Sequence, residues 1–300
     1  MTADNMRTDL GVDTRESRKQ VVQAFYDSYG WKKDASGHYQ DEVEFEDSRP
    51  VTFPYRHACH LRVKRFLQPH GDFLLDAASG PVQYSEYLEY SAGYRKRVCI
   101  DFSIEALREA RHRLGGHGLY VLADITRLPF RTGTFDGFVS LHTIYHVPAD
   151  EQEDALCELH RTLKCGKSGV VVYAWKRSPL LATGRAVLSA VKKTIRRTWN
   201  RQERTDRSGT PPLYYEPHDW RWMVSTLKKH RIPCDIRTWR SVSVPFLQRY
   251  IPNGSLGRIV LRGVFWLEDR FPRLLGRVGT YPLIVIDRHS EDTVTPERIQ

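Results

Sequence analysis

The 300-residue sequence has no pairing pattern among its cysteines. There are five, at 59, 99, 157, 165 and 234, and no Cys-x-x-Cys. An odd, scattered set excludes a disulfide framework and suits reduced thiols in a cytoplasm. Long apolar runs are also missing. Nowhere do about 18 hydrophobic residues follow one another, so no membrane-spanning helix is expected. The opening "MTADNMRTDLGVDTRES" has no apolar stretch, so no signal peptide is expected. Metal-ligand spacing is nearly absent. The one local cluster, "HACH" (His57, Cys59, His60), has no distant second ligand pair, and no metal is expected there. No repeat or low-complexity tract occurs.

What the chain does have is core and charge. With 40% hydrophobic and 11% aromatic residues it can bury a sizeable core. Its net charge of +10 is local: residues 176–207 hold ten Lys/Arg against Glu203 and Asp206. That excess asks for a local explanation and is no general signature of nucleic-acid binding.

The hydrophobic pattern sets the architecture. A helix is expected over 15–30, then an acidic irregular connection, then a second helix from Tyr55. From Phe73 strands and helices alternate: "DFLLDAAS", "PVQYSEYLEYSA", "KRVCIDFS", "IEALREARHRLGG", "LYVLADI", "FDGFVSLHT", "ADEQEDALCELHRTLK" and "SGVVVYAW". Such alternation implies a parallel sheet with right-handed crossovers, covered on both faces. A basic helical stretch, a Pro-rich loop and a helix follow. The strand "CDIRTWRSVSV", an inserted helix and a closing strand "TYPLIVIDR" complete the chain. The expected fold is α/β with seven strands, the last antiparallel beside "IRTWRSVS".

The turn after the first strand, "LLDAASGPVQY", lacks glycine where a Gly-x-Gly-x-Gly nucleotide loop would have it. Only Gly80 is present; Ala78 and Val82 take the other two positions. Ligands bind open α/β sheets at this place, and Gly80 permits close backbone approach. The next helix N-terminus is expected to offer free N–H groups. Asp76 ends the first strand, Asp101 the second and Asp124 the third. An acid at 101 suits two ribose hydroxyls. Three acids with no Lys or Arg in the loop would repel a pyrophosphate, which disfavours NAD. They would welcome a cationic adenosine, and S-adenosylmethionine fits that demand.

From Phe73 to Ala174 the chain resembles the class I S-adenosylmethionine-dependent methyltransferases, in the ubiquinone-methyltransferase-like, small-molecule branch (methyltransferase type 11). The resemblance runs through "LLDAASGP", "CIDFSIEALREAR", "LADITRLPFRTGTFDGFVSLHTIYHV" and "ELHRTLKCGKSGVVVY". It implies a Rossmann-like core and S-adenosyl-L-methionine as cofactor. It further implies that Ala77, Ser79 and Gly80 line the methionine moiety and that Asp76 helps to hold its amino group. Asp101 would take the ribose, Phe102 pack on adenine and Asp124 accept from its N6 with Ile125 against the ring. Leu141 and His142 would border the sulfonium. Ala78, Tyr84 and Ser103 are counted in the same set. The departures are Ala78, Val82 and Cys165; alanine at 78 is acceptable if its φ is negative, and Val82 is expected inside the following helix.

Methyl transfer to a hydroxyl is helped by a base, and histidine suits neutral pH. His142 and His146 follow the fourth strand, and His218 lies in "LYYEPHDW". All three are candidate catalytic residues; His146 is the first candidate base, and for His142 a cofactor contact is favoured over base chemistry. Tyr84, Tyr145, Tyr214 and Tyr215 are candidates to frame the sulfonium or a substrate ring. The expected partner is a small-molecule methyl acceptor on oxygen, nitrogen or carbon, acidic or lipid-like. The basic helix at 180–204 is read as a peripheral membrane contact, an acidic-substrate contact or a solvated face. Nucleic acid is disfavoured, since neither "[DN]-P-P-[YF]" nor Pro-Cys follows the fourth strand. A non-catalytic binding protein is the remaining alternative, and the oligomeric state stays open. Four segments are expected: a helical cap at 1–70, the cofactor core at 71–175, a basic lid at 176–215, and a C-terminal part at 216–300 with an insertion at about 252–279.

Overall fold

The computed structural model describes residues 14–180 and 210–289. Seven strands form one sheet in the order β3-β2-β1-β4-β5-β7-β6. They are β1 (Gly71–Ala77), β2 (Tyr94–Asp101), β3 (Gly118–Leu122), β4 (Gly137–Leu141), β5 (Lys167–Val172), β6 (Cys234–Arg240) and β7 (Tyr281–Arg288). β1 to β5 pair in parallel, and β7 lies antiparallel between β5 and β6. The seven-stranded expectation with an antiparallel last strand holds.

Strand periodicity divides the core in two. Leu74, Cys99, Val139, Val170, Val172 and Leu283 point to one face. Their neighbours Leu75, Ile100, Phe138, Val171 and Ile284 point to the other. Both faces are apolar because helices cover both, as a mostly parallel sheet requires. The second face carries α6 (Gln152–Thr162) through Ala155, Leu156 and Leu159, and α7 (Trp220–Lys229) through Met223 and Leu227. The first face carries α3 (Phe53–Arg62) and α5 (Ile104–Leu114), with Leu247 of α8 (Val244–Tyr250) and Leu261 of α9 (Ser255–Arg270). A short α10 (Pro272–Val278) precedes β7. Two caps set helix starts: the Ser103 hydroxyl accepts from Ala106 N–H, and the Asp219 carboxylate from Trp222 N–H.

Residues 14–50 are more regular than their sequence pattern suggests. The expected helix at 15–30 is α1 (Arg15–Phe25) followed by a π-helical turn, Tyr26–Gly30. The acidic connection contains a helix of its own, α2 (Gln40–Phe45). It is pinned by Arg49, which bonds the Asp47 carboxylate and the carbonyls of Leu247 and Ile251. α1 lies across the carboxyl ends of the strands: Lys19 reaches Asp124, and Gln23 donates to the Phe102 carbonyl. This cap therefore sits where ligands bind in such sheets. Most of the basic lid lies outside the described residues.

Candidate functional site

Ala78, Gly80 and Val82 all have left-handed backbone, with φ of 55°, 54° and 53°. The expectation of a negative φ at Ala78 is overturned, and Val82 stands in the turn, not in a helix. Hydrogen bonds across the strand ends impose this shape. Ser79 N–H donates to the Ile100 carbonyl, Gly80 N–H to Asp101 Oδ2 and Val82 N–H to the Ser79 carbonyl. The chain must alternate sign to make them. The helix expected after Pro81 is consequently short: α4 is only Ser85–Leu88, and Tyr84 is its N-cap. A left-handed non-glycine residue costs about 1–2 kcal/mol, so Ala78 and Val82 carry strain that Gly80 does not.

The strand-end acids have distinct environments. Asp101 is buried; its two oxygens accept from Gly80 N–H and Ser103 N–H, each at 2.9 Å. Burial nevertheless pushes its pKa up to about 6. Asp76 lies beneath the loop, where its Oδ2 accepts from both Nε and Nη2 of the buried Arg97. Burial raises its pKa, and Arg97 opposes the rise. Oδ2 is thus committed to structure, leaving Oδ1 for the role implied at the cofactor's amino group. Asp124 accepts from Lys19 Nζ at 2.7 Å and Thr126 N–H at 2.8 Å. Burial acts to raise its pKa, but these bonds prevail and hold it below the ordinary value. Ile125 is buried beside it, and the Ser103 hydroxyl, besides capping α5, meets Asp27 of the cap.

The Trp31 indole lies over Gly80: a Cβ at residue 80 would stand 3.0 Å from its ring. Trp31 stacks on Tyr26 at 4.6 Å between centroids. Its Nε1–H is buried without a partner, as is Gln83 Oε1 beside the loop. Unsatisfied buried polar atoms are uncommon and mark places where a ligand can complete the bonding.

His142 directly follows β4 with φ of 60°. Its Nδ1 is 3.0 Å from the Tyr145 hydroxyl, and its Nε2 is buried without a partner. Burial first, then the charge of Arg240, lowers its pKa well below the ordinary 6.5, so the ring is neutral. His146 Nδ1–H donates to the Tyr214 carbonyl at 2.8 Å, which leaves Nε2 as the basic nitrogen. Burial lowers its pKa to about 4. Tyr145 and Tyr215 pack against His146. His218 is elsewhere: Nε2–H donates to the Ala149 carbonyl and the ring stacks on Trp222 at 3.8 Å. The structure thus brings His142, Tyr145, His146 and Tyr215 together, without His218. Leu141 is half-buried at the end of β4, while Tyr84 packs on His60. The "HACH" residues are likewise used in packing: His57 bonds Glu86, and His60 stacks on Trp239.

Several residues of the site escaped the sequence reading. Arg240 at the end of β6 faces Tyr281 at the start of β7 in the register of the pair. Its guanidinium is buried over both the Trp239 and Tyr281 rings, 4.9 and 4.7 Å from their centroids. His142 packs edge-on against the same two rings. Arg240 Nη1 donates to Glu46 of the cap at 2.8 Å, and its Nε is buried without a partner. Asp41, bonded to Gln83, has its pKa pushed up to about 6 by burial. The hairpin register was the one signal that could have flagged Arg240. Glu46 and Asp41 stand in a segment read as irregular, where no periodicity points inward.

The chemistry matches the implied cofactor. Asp101 and Asp124 stand at or just past adjacent strand ends, and no Lys or Arg lies between residues 74 and 84 to hold a phosphate. Residues 75–171 match the family model described as "Methyltransferase domain". Compared by sequence with curated proteins, the chain matches none. Among solved structures it is similar to DhpI in complex with SAH, at 12% identity and TM-score 0.55, over 92% of this chain and 100% of that one. It is also similar to geranyl diphosphate C-methyltransferase from Streptomyces coelicolor A3(2), at 15% identity and TM-score 0.53, over 90% and 98% of the two chains. Such low identities carry the fold alone.

Proposed function

From the premise that residues 75–171 form a class I, S-adenosylmethionine-dependent methyltransferase domain, we propose that this enzyme methylates a small acidic molecule. The acceptor would lie between the N-terminal cap and the ends of β4, β6 and β7. One observation carries this reading: His142 Nε2 and Arg240 Nε are both buried, both unpartnered, and both set against the rings of Trp239 and Tyr281. A buried guanidinium with a free donor on an aromatic floor is a receptor for a carboxylate or phosphate group. Glu46 already places a carboxylate on the other side of it.

The cofactor residues are proposed as a set. Asp101 would accept from the ribose hydroxyls, and Asp124 from the adenine amine. The loop Ala77–Gly80, with Asp76 Oδ1, would face the amino-acid end. Phe102, Ser103 and Ile125 would border the adenosine, and Leu141 and His142 the sulfonium. When bound, S-adenosylmethionine supplies an electrophilic methyl carbon, and the breaking C–S pair remains on sulfur. The protein's own part is to align the acceptor, exclude water and take a proton where the acceptor carries one. His146, with Nδ1–H fixed on Tyr214, presents Nε2 for this, and Asp41 is the alternative base in the same region.

The test is transfer of label from methyl-labelled S-adenosylmethionine in a deproteinised metabolite extract. Label in a low-mass anionic product supports the reading. Label in added RNA, or in neutral products alone, overturns the acidic small-molecule assignment.

A further inference from the structure

Helices α9 and α10 turn an apolar face to the outside. α9 buries Gly257, Leu261 and Glu268 on its inner side. Leu256, Ile259, Trp266 and Leu267 stand off that side and are exposed, as are Phe271, between the two helices, and Leu274 of α10. Leu256, Ile259 and Trp266 are each 63% exposed. At 3.6 residues per turn the four positions of α9 fall within an arc of about 100° that leaves out the buried side of the helix. Exposed single leucines are ordinary, but a continuous outward stripe with a tryptophan is not.

The charges around the stripe are of one sign. Arg258, Arg262, Arg270 and Arg277 are exposed, and none pairs with a carboxylate among the described residues. The two acids of α9, Glu268 and Asp269, are already engaged: Glu268 is buried against Arg62, and Asp269 bridges Arg62 and Arg65. The most basic stretch of the sequence starts beside it, since the Ser178 hydroxyl donates to the Val278 carbonyl at 2.9 Å.

We propose that the α9–α10 face docks on an anionic lipid bilayer surface. Leu256, Ile259, Trp266 and Leu274 would enter the headgroup–acyl boundary, and the arginines would meet lipid phosphates; a basic amphipathic helix with Trp and Leu on its apolar side binds in this way. The charges argue against other occupants. The basic 176–207 stretch would set like charge on the arginines, and a second copy in two-fold contact would set arginine against arginine. A nucleic acid would engage the arginines but gain nothing from exposed aliphatic side chains.

The experiment is vesicle flotation of the full chain. With about one-third phosphatidylglycerol in phosphatidylcholine, the protein floats with the vesicles; with phosphatidylcholine alone, or in high salt, it stays behind. Trp266→Ser combined with Leu274→Ser weakens binding roughly tenfold or more while unfolding temperature and cofactor affinity are kept. Arg258→Glu with Arg262→Glu has a similar effect. Absence of flotation by the parent protein, or unchanged flotation of both variants, overturns the proposal. So does light scattering that shows a dimer which Trp266→Ser dissociates, because the stripe is then a self-interface.

Discussion

The Gly80 amide donates to Asp101 Oδ2 at 2.9 Å, so the acid that ends β2 holds the turn that ends β1. Asp101 therefore has two tasks. It fixes a turn whose left-handed Ala78 and Val82 are costly, and in the proposed cofactor site it takes the ribose hydroxyls. Replacement by alanine should weaken S-adenosylmethionine binding about a hundredfold, read by calorimetry, while the far-ultraviolet dichroism stays native. Unchanged affinity would remove Asp101 from the ribose site.

Stability should move the opposite way. The folded pKa of Asp101 is raised from 3.8 to about 6, so the fold disfavours its ionised form. The group costs stability at neutral pH, and that cost disappears as the pH falls from about 6 to about 4. Asp101→Asn should therefore gain about 1 kcal/mol at pH 7 and nothing near pH 4, read by urea unfolding at both values. A loss at pH 7 would show that the two backbone bonds outweigh desolvation.

Ala78 stands at φ of 55°. Ala78→Gly should stabilise the protein by about 0.5–1 kcal/mol, the strain released less the entropy glycine adds to the unfolded chain. Gly80→Ala should cost about 1–2 kcal/mol, because it adds the same strain and sets a methyl 3.0 Å from Trp31. Thermal unfolding of the pair checks the sign of each; the reverse order would contradict the loop geometry.

Arg240 and Glu46 form a buried pair joined to the aromatic floor. Removing one partner leaves the other charge uncompensated, so Glu46→Gln should destabilise by about 3 kcal/mol. Arg240→Met should raise the KM of the acidic acceptor at least tenfold and leave cofactor affinity within about twofold, a split that a purely structural role would not give. Equal loss of both would place Arg240 outside the acceptor site.

The low-pH limb of kcat/KM should fall near pH 6, where Asp41 and Asp101 titrate, and not near 4, where His146 does. Asp41→Asn should lower the slope of that limb from about two protons towards one, with Asp101 still holding it near pH 6. An unchanged slope excludes Asp41 as a contributor.

Much of the fold was legible because strands with apolar residues on both faces, alternating with amphipathic helices, admit few arrangements. The acids Asp76, Asp101 and Asp124 were legible because each stands at or just beyond the carboxyl end of such a strand. The backbone at Ala78 and Val82 was not, since tertiary hydrogen bonds there override what alanine and valine prefer. Nor was Trp31 over Gly80, or Glu46 against Arg240, 194 positions apart; contacts at that separation leave no local pattern.

The most direct measurement is calorimetric titration of the full chain with S-adenosylmethionine, beside the Asp101→Ala variant. Binding of the parent at about micromolar Kd, lost in the variant, is the predicted result. No heat of binding from the folded parent at millimolar cofactor would contradict the account.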